Sequence, residues 1–113
     1  MQTSNKNISI ISKDCSLNGN LNFKGNLILA GSIKGTLHAE RAATEKDSYI
    51  NGKAMVNTFI IGGFFEGEIT ATESLTLLPT AIVNGLVKYR TITIEKGCTI
   101  NGTLKPLSPG SGS

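Results

Sequence analysis

Ile50-Asn51-Gly52-Lys53-Ala54 is one of six occurrences of a single five-residue phrase: an apolar residue, any residue, Gly, any residue, an apolar residue. The others are Leu17-Asn18-Gly19-Asn20-Leu21, Ile33-Lys34-Gly35-Thr36-Leu37, Phe65-Glu66-Gly67-Glu68-Ile69, Val83-Asn84-Gly85-Leu86-Val87 and Ile100-Asn101-Gly102-Thr103-Leu104. Their glycines, Gly19, Gly35, Gly52, Gly67, Gly85 and Gly102, fall 16, 17, 15, 18 and 17 residues apart. So short a period, held from one end of the chain to the other, predicts a solenoid with one coil per repeat.

The phrase reads as a corner. One apolar residue closes a short strand, Gly lets the backbone take a positive φ without a Cβ penalty, and another apolar residue opens the next strand. Asn precedes Gly in four of the six. Taken singly, each Asn-Gly would signal a hairpin, but six in one register argue for stacked coils. Two before the first apolar residue stand Cys15, Gly31, Ser48, Gly63, Ala81 and Cys98, all small. Six before it stand Ile11, Leu27, Thr44, Phe59, Leu77 and Ile94, which we expect to form a stacked apolar column.

The chain has 113 residues, enough for one domain and one core. Aromatic content is 5% with no Trp, so the core must come from Ile, Leu, Val and small residues. A formal charge of +3 is spread over all coils without a basic run or interleaved aromatics, which argues against a nucleic-acid binder. No stretch of 18 apolar residues occurs. Residues 1–7 have neither the layout of a signal peptide nor a lipidation motif, and the expected location is cytoplasmic. Residues 1–7 and 106–113 are expected to be disordered tails around a β-helix domain at 8–105, the last residues resembling a linker.

Leu27 and Leu29, Phe59 and Ile61, Leu75 and Leu77, and Ile92 and Ile94 alternate as half-buried strands do. Residues 39–48 are read as a short strand followed by a charged loop, and Pro79 as part of a corner. Cys15 and Cys98 lie five coils apart, roughly 24 Å at ~4.8 Å per coil. That is beyond disulfide reach, and both are expected to be small buried hydrophobes.

The ends carry the functional expectation. A solenoid that stays single normally closes its ends with a helix or a polar repeat, and this chain supplies neither. Ile8, Ile10, Ile11, Leu17 and Leu21 belong to the first coil, and Ile92, Ile94, Ile100 and Leu104 to the last. Stacking another rod on each end would continue the ladder and bury these residues, so they are the candidate polymerisation surfaces.

The span from Asn7 to Leu107 resembles the bactofilins, bacterial cytoskeletal polymer formers. The likeness is carried by residues 19–27, by Gly31-Ser32-Ile33-Lys34-Gly35 and by Glu95-Lys96-Gly97-Cys98-Thr99-Ile100-Asn101-Gly102. It implies a right-handed triangular β-helix, here of six coils of about 17 residues, that polymerises without nucleotide. The filaments it implies are non-polar, joined head to head and tail to tail, and scaffold envelope and cell-shape proteins such as peptidoglycan-modifying enzymes. The family's aromatic support for the tail contact falls here on Thr99 and Ile100, and the role is carried to Ile100. Many members also carry a short membrane-targeting segment; residues 1–7 are not amphipathic, and peripheral membrane attachment stays open.

Two other readings compete. A left-handed β-helix of a trimeric hexapeptide-repeat acyltransferase is suggested by six-residue spacing along Cys15, Leu21, Leu27, Ile33 and Ala39, and along Ile69, Leu75, Ala81 and Val87. The spacing breaks between those runs, and the only His is His38. A non-polymerising scaffold is the other: if Phe59, Ile61 and Phe65 face inward, Ile60 and Phe64 face outward as a lateral patch. No phosphate-binding loop is present, because Gly62-Gly63 leads into Phe64-Phe65. Glu66 and Glu68 flank a corner glycine on what reads as one side of a strand, without a convergent third group. One His and two distant Cys do not make a zinc site. The expectation is a non-enzyme without cofactor, metal or nucleic-acid partner.

Overall fold

The computed structural model describes residues 8–107. They form β1 (Ile8–Ile11), β2 (Ser16–Leu29), β3 (Ser32–Thr44), β4 (Tyr49–Ile61), β5 (Phe64–Leu77), β6 (Ile82–Tyr89), β7 (Ile92–Ile94) and β8 (Thr99–Pro106). Every pairing is parallel, in the order β1-β2-β3-β4-β5-β6-β8 with β7 on β5. The charged stretch at residues 39–48 continues β3 to Thr44 and then turns, as the sequence suggested. The domain expected to end at 105 runs a residue further, since Pro106 pairs with Tyr89. Leu107 is described as well, its N–H donating to the Tyr89 carbonyl, and the rest of the two expected tails lies outside the described residues.

The long strands wrap around corners. β2 to β5 each pass through a corner glycine, and the buried alternation changes phase again between Ala39 and Ala42 and between Val56 and Phe59. Each coil therefore has three sides. The first side turns one residue inward (Leu17, Ile33, Ile50, Phe65, Val83, Ile100). The second and third sides turn two each, such as Ile69 and Ala71, then Leu75 and Leu77. Inward positions of the middle coils are almost wholly buried, and Phe59 meets Phe65 edge-on at 6.2 Å between centroids.

The six corner glycines stack directly, with φ from +114° to +146°. A Cβ on any of the last five would run into the carbonyl oxygen of the glycine one coil nearer the first end. The column thus needs Gly for space as well as for φ.

The uneven spacing of these glycines has two sources. The corner between the third and first sides has four residues at 12–15, 45–48, 78–81 and 95–98, but only two at Ala30-Gly31 and Gly62-Gly63. The corner between the second and third sides carries an extra residue after Phe23 and after Ala71, where the registers shift. The coils stay aligned because each difference is absorbed at a corner.

This corrects one expected column. Ile11 stacks with Leu29, Thr44, Ile61, Leu77 and Ile94, whereas Leu27 and Phe59 stack with Ala42, Leu75 and Ile92. Counting back a constant six residues crosses the short corners and lands two residues early. The small-residue column is as read: the carbonyls of Cys15, Gly31, Ser48, Gly63 and Ala81 accept from the N–H groups of Ser32, Tyr49, Phe64, Ile82 and Thr99 at 2.9–3.0 Å. The hydroxyls of the buried residues Thr44 and Ser48 are satisfied, Thr44 Oγ1 accepting from Gly62 N at 3.0 Å and Ser48 Oγ donating to the Glu45 carbonyl at 2.7 Å.

Candidate functional site: the two ends of the rod

A parallel coil leaves its first and last turns with one unpaired edge each and an inner layer without a neighbour. At the last coil, Ile94 and Leu104 lie in inward columns yet are 50% and 36% exposed, whereas Leu77 and Val87, one coil below, are 0% exposed. Ile92 and Ile100 are half-buried beside them. Among the described residues, the tail end is thus a layer of four aliphatic side chains that lack the cover every interior coil provides.

The head end is organised alike, with a difference. Leu17 and Leu21 are inward and half-buried, and Ile11 is inward and buried. Ile8 and Ile10, expected with them, are 56% and 68% exposed because they occupy outward positions of β1, alternating with Ser9 and Ile11. They stand at the head rim but face sideways, so they do not belong to the inner layer.

The two residues of the expected lateral patch are brought onto different sides. Ile60 is half-buried on the outer face of the third side, in column with Ile10, Ile28 and Ala43. Phe64 is half-buried on the first side, around the Gly62-Gly63 corner, with its ring 5.3 Å from that of Tyr49. Strand alternation predicted that both face out; the intervening corner decided that they face different directions.

The remaining candidates are dispersed. Glu66 and Glu68 are parted by the bend at Gly67: Glu66 accepts from the Tyr49 hydroxyl at 3.2 Å, while Glu68 pairs with Lys88 at 3.4 Å. His38 is half-buried on the second side, where its Nδ1 has no hydrogen-bond partner, and Met55 is the next residue in its column. Cys98 is half-buried against the core, but Cys15 is exposed, a correction that follows from its place on the first coil. Both are free thiols. Among the described residues no three His, Cys, Asp or Glu side chains gather as a metal site, and no helix is long and apolar enough to cross a membrane.

The structure thus defines a parallel β-solenoid with exposed apolar residues at its ends. The profile of the bactofilin family, described as polymer-forming cytoskeletal, matches residues 9–105, and this chain belongs to that family. Its fold is similar to that of the cytoskeletal bactofilin BacA determined by solid-state NMR. The TM-score is 0.81 at 23% identity, over 91% of this chain and 99% of that one. Among functionally curated proteins none matches this sequence. Membership sets aside the hexapeptide acyltransferase, whose six-residue runs here join inward residues of neighbouring sides, such as Leu21, Leu27 and Ile33, with the corner residues Cys15 and Ala81.

Proposed function

We propose that this cytoskeletal rod assembles end to end into filaments without nucleotide, joining head to head and tail to tail. The observation that carries the proposal is the uncovered inner layer at both ends, Ile92, Ile94, Ile100 and Leu104 at one and Leu17 and Leu21 at the other. Stacking gives each edge the ladder it lacks and each layer the neighbour it lacks. A joint between like ends has a two-fold axis across the rod, so the facing strands there run antiparallel. Association draws on apolar burial and backbone pairing.

The filament lies in the cytoplasm, where it serves as a scaffold for envelope proteins such as peptidoglycan-modifying enzymes, with peripheral contact to the inner membrane face. That part rests on the family resemblance. A non-enzymatic role agrees with the dispersal of His38, Glu66, Glu68 and the two cysteines.

Negative-stain microscopy of purified protein without nucleotide, beside Ile100→Arg, tests the reading. In a free rod an Arg at the rim can reach water. In a joint it becomes a buried unpaired charge, costing about 3–5 kcal/mol, so the critical concentration should rise about a hundredfold to a few thousandfold. Filaments in both samples at equal concentration, or discrete particles in both, would refute it.

A further inference from the structure

Each end of the rod is a ramp with a step, and the place of the step restricts how two like ends can meet. Every side holds six strand levels: the third runs from Ile8–Ile11 to Ile92–Ile94, the first from Ser16 to Thr99, the second from Asn20 to Thr103. The described chain therefore enters at Ile8 and leaves at Leu107 by one and the same corner, that between the second and third sides. There Ile8 lies one level outside Asn26, and Pro106 one level outside Tyr89. Each end surface climbs one ladder spacing, ~4.8 Å, in a full turn and drops back at that corner.

We propose that the head joint and the tail joint use the same two-fold axis direction, through the corner between the second and third sides and the middle of the first side. This rests on the stacking of like ends proposed above and adds its rotational register. A two-fold axis across the rods turns one ramp into another of matching slope, and the two steps coincide only when the axis runs through the step itself. An axis through either other corner sends the step to a different corner and leaves at least one side of the triangle a full level, ~4.8 Å, out of contact. Side lengths select the same axis independently. The first side turns one residue inward per coil and the other two turn two each, so only this axis lays first side on first and second side on third.

The residues that meet follow from the axis. At the tail Ile100 faces Ile100 of the second copy, Leu104 faces its Ile94, and Pro106 faces its Ile92. On the outer surface the exposed Lys105 faces the exposed Thr93 of the second copy, whereas an axis through the middle of the second side would set Lys105 against Lys105. At the head Leu17 faces Leu17, Leu21 faces Ile11, and Phe23 faces Ser9, a large side chain over a small one.

The backbone agrees at both ends. Glu95, Thr99 and Leu107 donate back into the rod, to the carbonyls of Leu77, Ala81 and Tyr89. The alternating residues Ile94, Ile100 and Leu104 therefore turn their N–H and C=O groups out of the tail. Ile100 and its copy exchange two hydrogen bonds across the axis, as do Leu104 and Ile94. At the head the outward residues hold the free groups, since Ser32, one coil in, donates headward to the Cys15 carbonyl. Ser16 accordingly pairs with Asn18 of the second copy about the axis.

Because the columns stack directly and both axes cross the first side, the first sides align as one continuous face of the filament. That face carries the Tyr49–Phe64 ring pair once per rod, while second and third sides alternate along the other two. Ile8 and Leu107 of every copy lie on the opposite edge.

Paired cysteines read the register. In Cys15→Ser/Cys98→Ser protein, filaments grown from mixed Thr93→Cys and Lys105→Cys chains and oxidised with diamide should give a disulfide-linked dimer, and neither variant alone should. Facing residues of an antiparallel pair have Cα atoms about 4.5–5.5 Å apart, inside disulfide reach. Ile10→Cys mixed with Asn22→Cys should behave alike at the head, and decides the matter if either tail variant fails to pellet. Lys105→Cys linking alone would place the axis through the second side, and Thr93→Cys linking alone through the third. Either result overturns the register and leaves like-end stacking intact, and so does a filament pellet without a link in either mixture. Parent filaments that link Cys15 to Cys98, or no filaments at all, overturn like-end stacking itself and the register with it.

Discussion

Replacing Gly67 and Gly19 by Ala, separately, parts two costs that the corner column combines. Both residues hold a positive φ, +131° and +114°, so each Ala variant carries backbone strain of about 1–3 kcal/mol. The new Cβ at Gly67 also overlaps the carbonyl oxygen of Gly52, which is held in the column and cannot move aside. That overlap adds a packing cost of about 1–3 kcal/mol. At Gly19 a Cβ meets nothing within 4 Å, because among the described residues no coil lies beyond it. Urea unfolding of both variants in the Ile100→Arg background, at a protein concentration too low for heads to pair, should place the Gly67→Ala midpoint about 1 M below that of Gly19→Ala, taking a slope of about 1–3 kcal/mol per molar urea. The same geometry has an opposite consequence for assembly. The open space at Gly19 is where a head-stacked copy would sit, so Gly19→Ala in the otherwise native sequence should raise the critical concentration although the rod stays folded. Pelleting assays measure this. Equal urea midpoints would refute the column argument, and an unchanged critical concentration for Gly19→Ala would refute the head joint.

Leu75→Ala removes a fully buried side chain from the third side and should cost about 2–5 kcal/mol in urea unfolding. Mild oxidation of filaments reports polarity. A head-to-tail stack would bring Cys98 within one ladder step, ~4.8 Å, of Cys15 in the next copy, so the expected non-polar filament should yield no Cys15–Cys98 disulfide by peptide mapping. Lys88→Ala breaks the surface pair with Glu68 and should change stability by less than about 1 kcal/mol; a larger loss would mean that the second side depends on that pair.

The coil, its corners and its open ends were legible in the residues alone. A corner glycine needs both a positive φ and room for no Cβ, and only Gly meets both, so six of them at a near-constant interval announce a stacked column. The aliphatic residues of the last phrase, followed by no further repeat after Leu104, announce an uncovered end for the same reason. What the sequence could not settle is everything that depends on corner length. Ala30-Gly31 and Gly62-Gly63 are two residues shorter than their counterparts, and a linear count cannot tell whether a missing residue came from a strand or from a corner. A linear count therefore puts Leu27 and Phe59 in the wrong column, and it joins Ile60 and Phe64 into one patch although a corner turns them apart. Likewise Ile8-Ser9-Ile10-Ile11 offers apolar residues to both faces, and only the pairing of β1 with β2 decides that Ile11 enters the core while Ile8 and Ile10 face outward. Local chemistry determined the repeat, since each phrase carries its own backbone requirement. The tertiary stack determined the surfaces, since a side chain's face depends on the length of every corner before it.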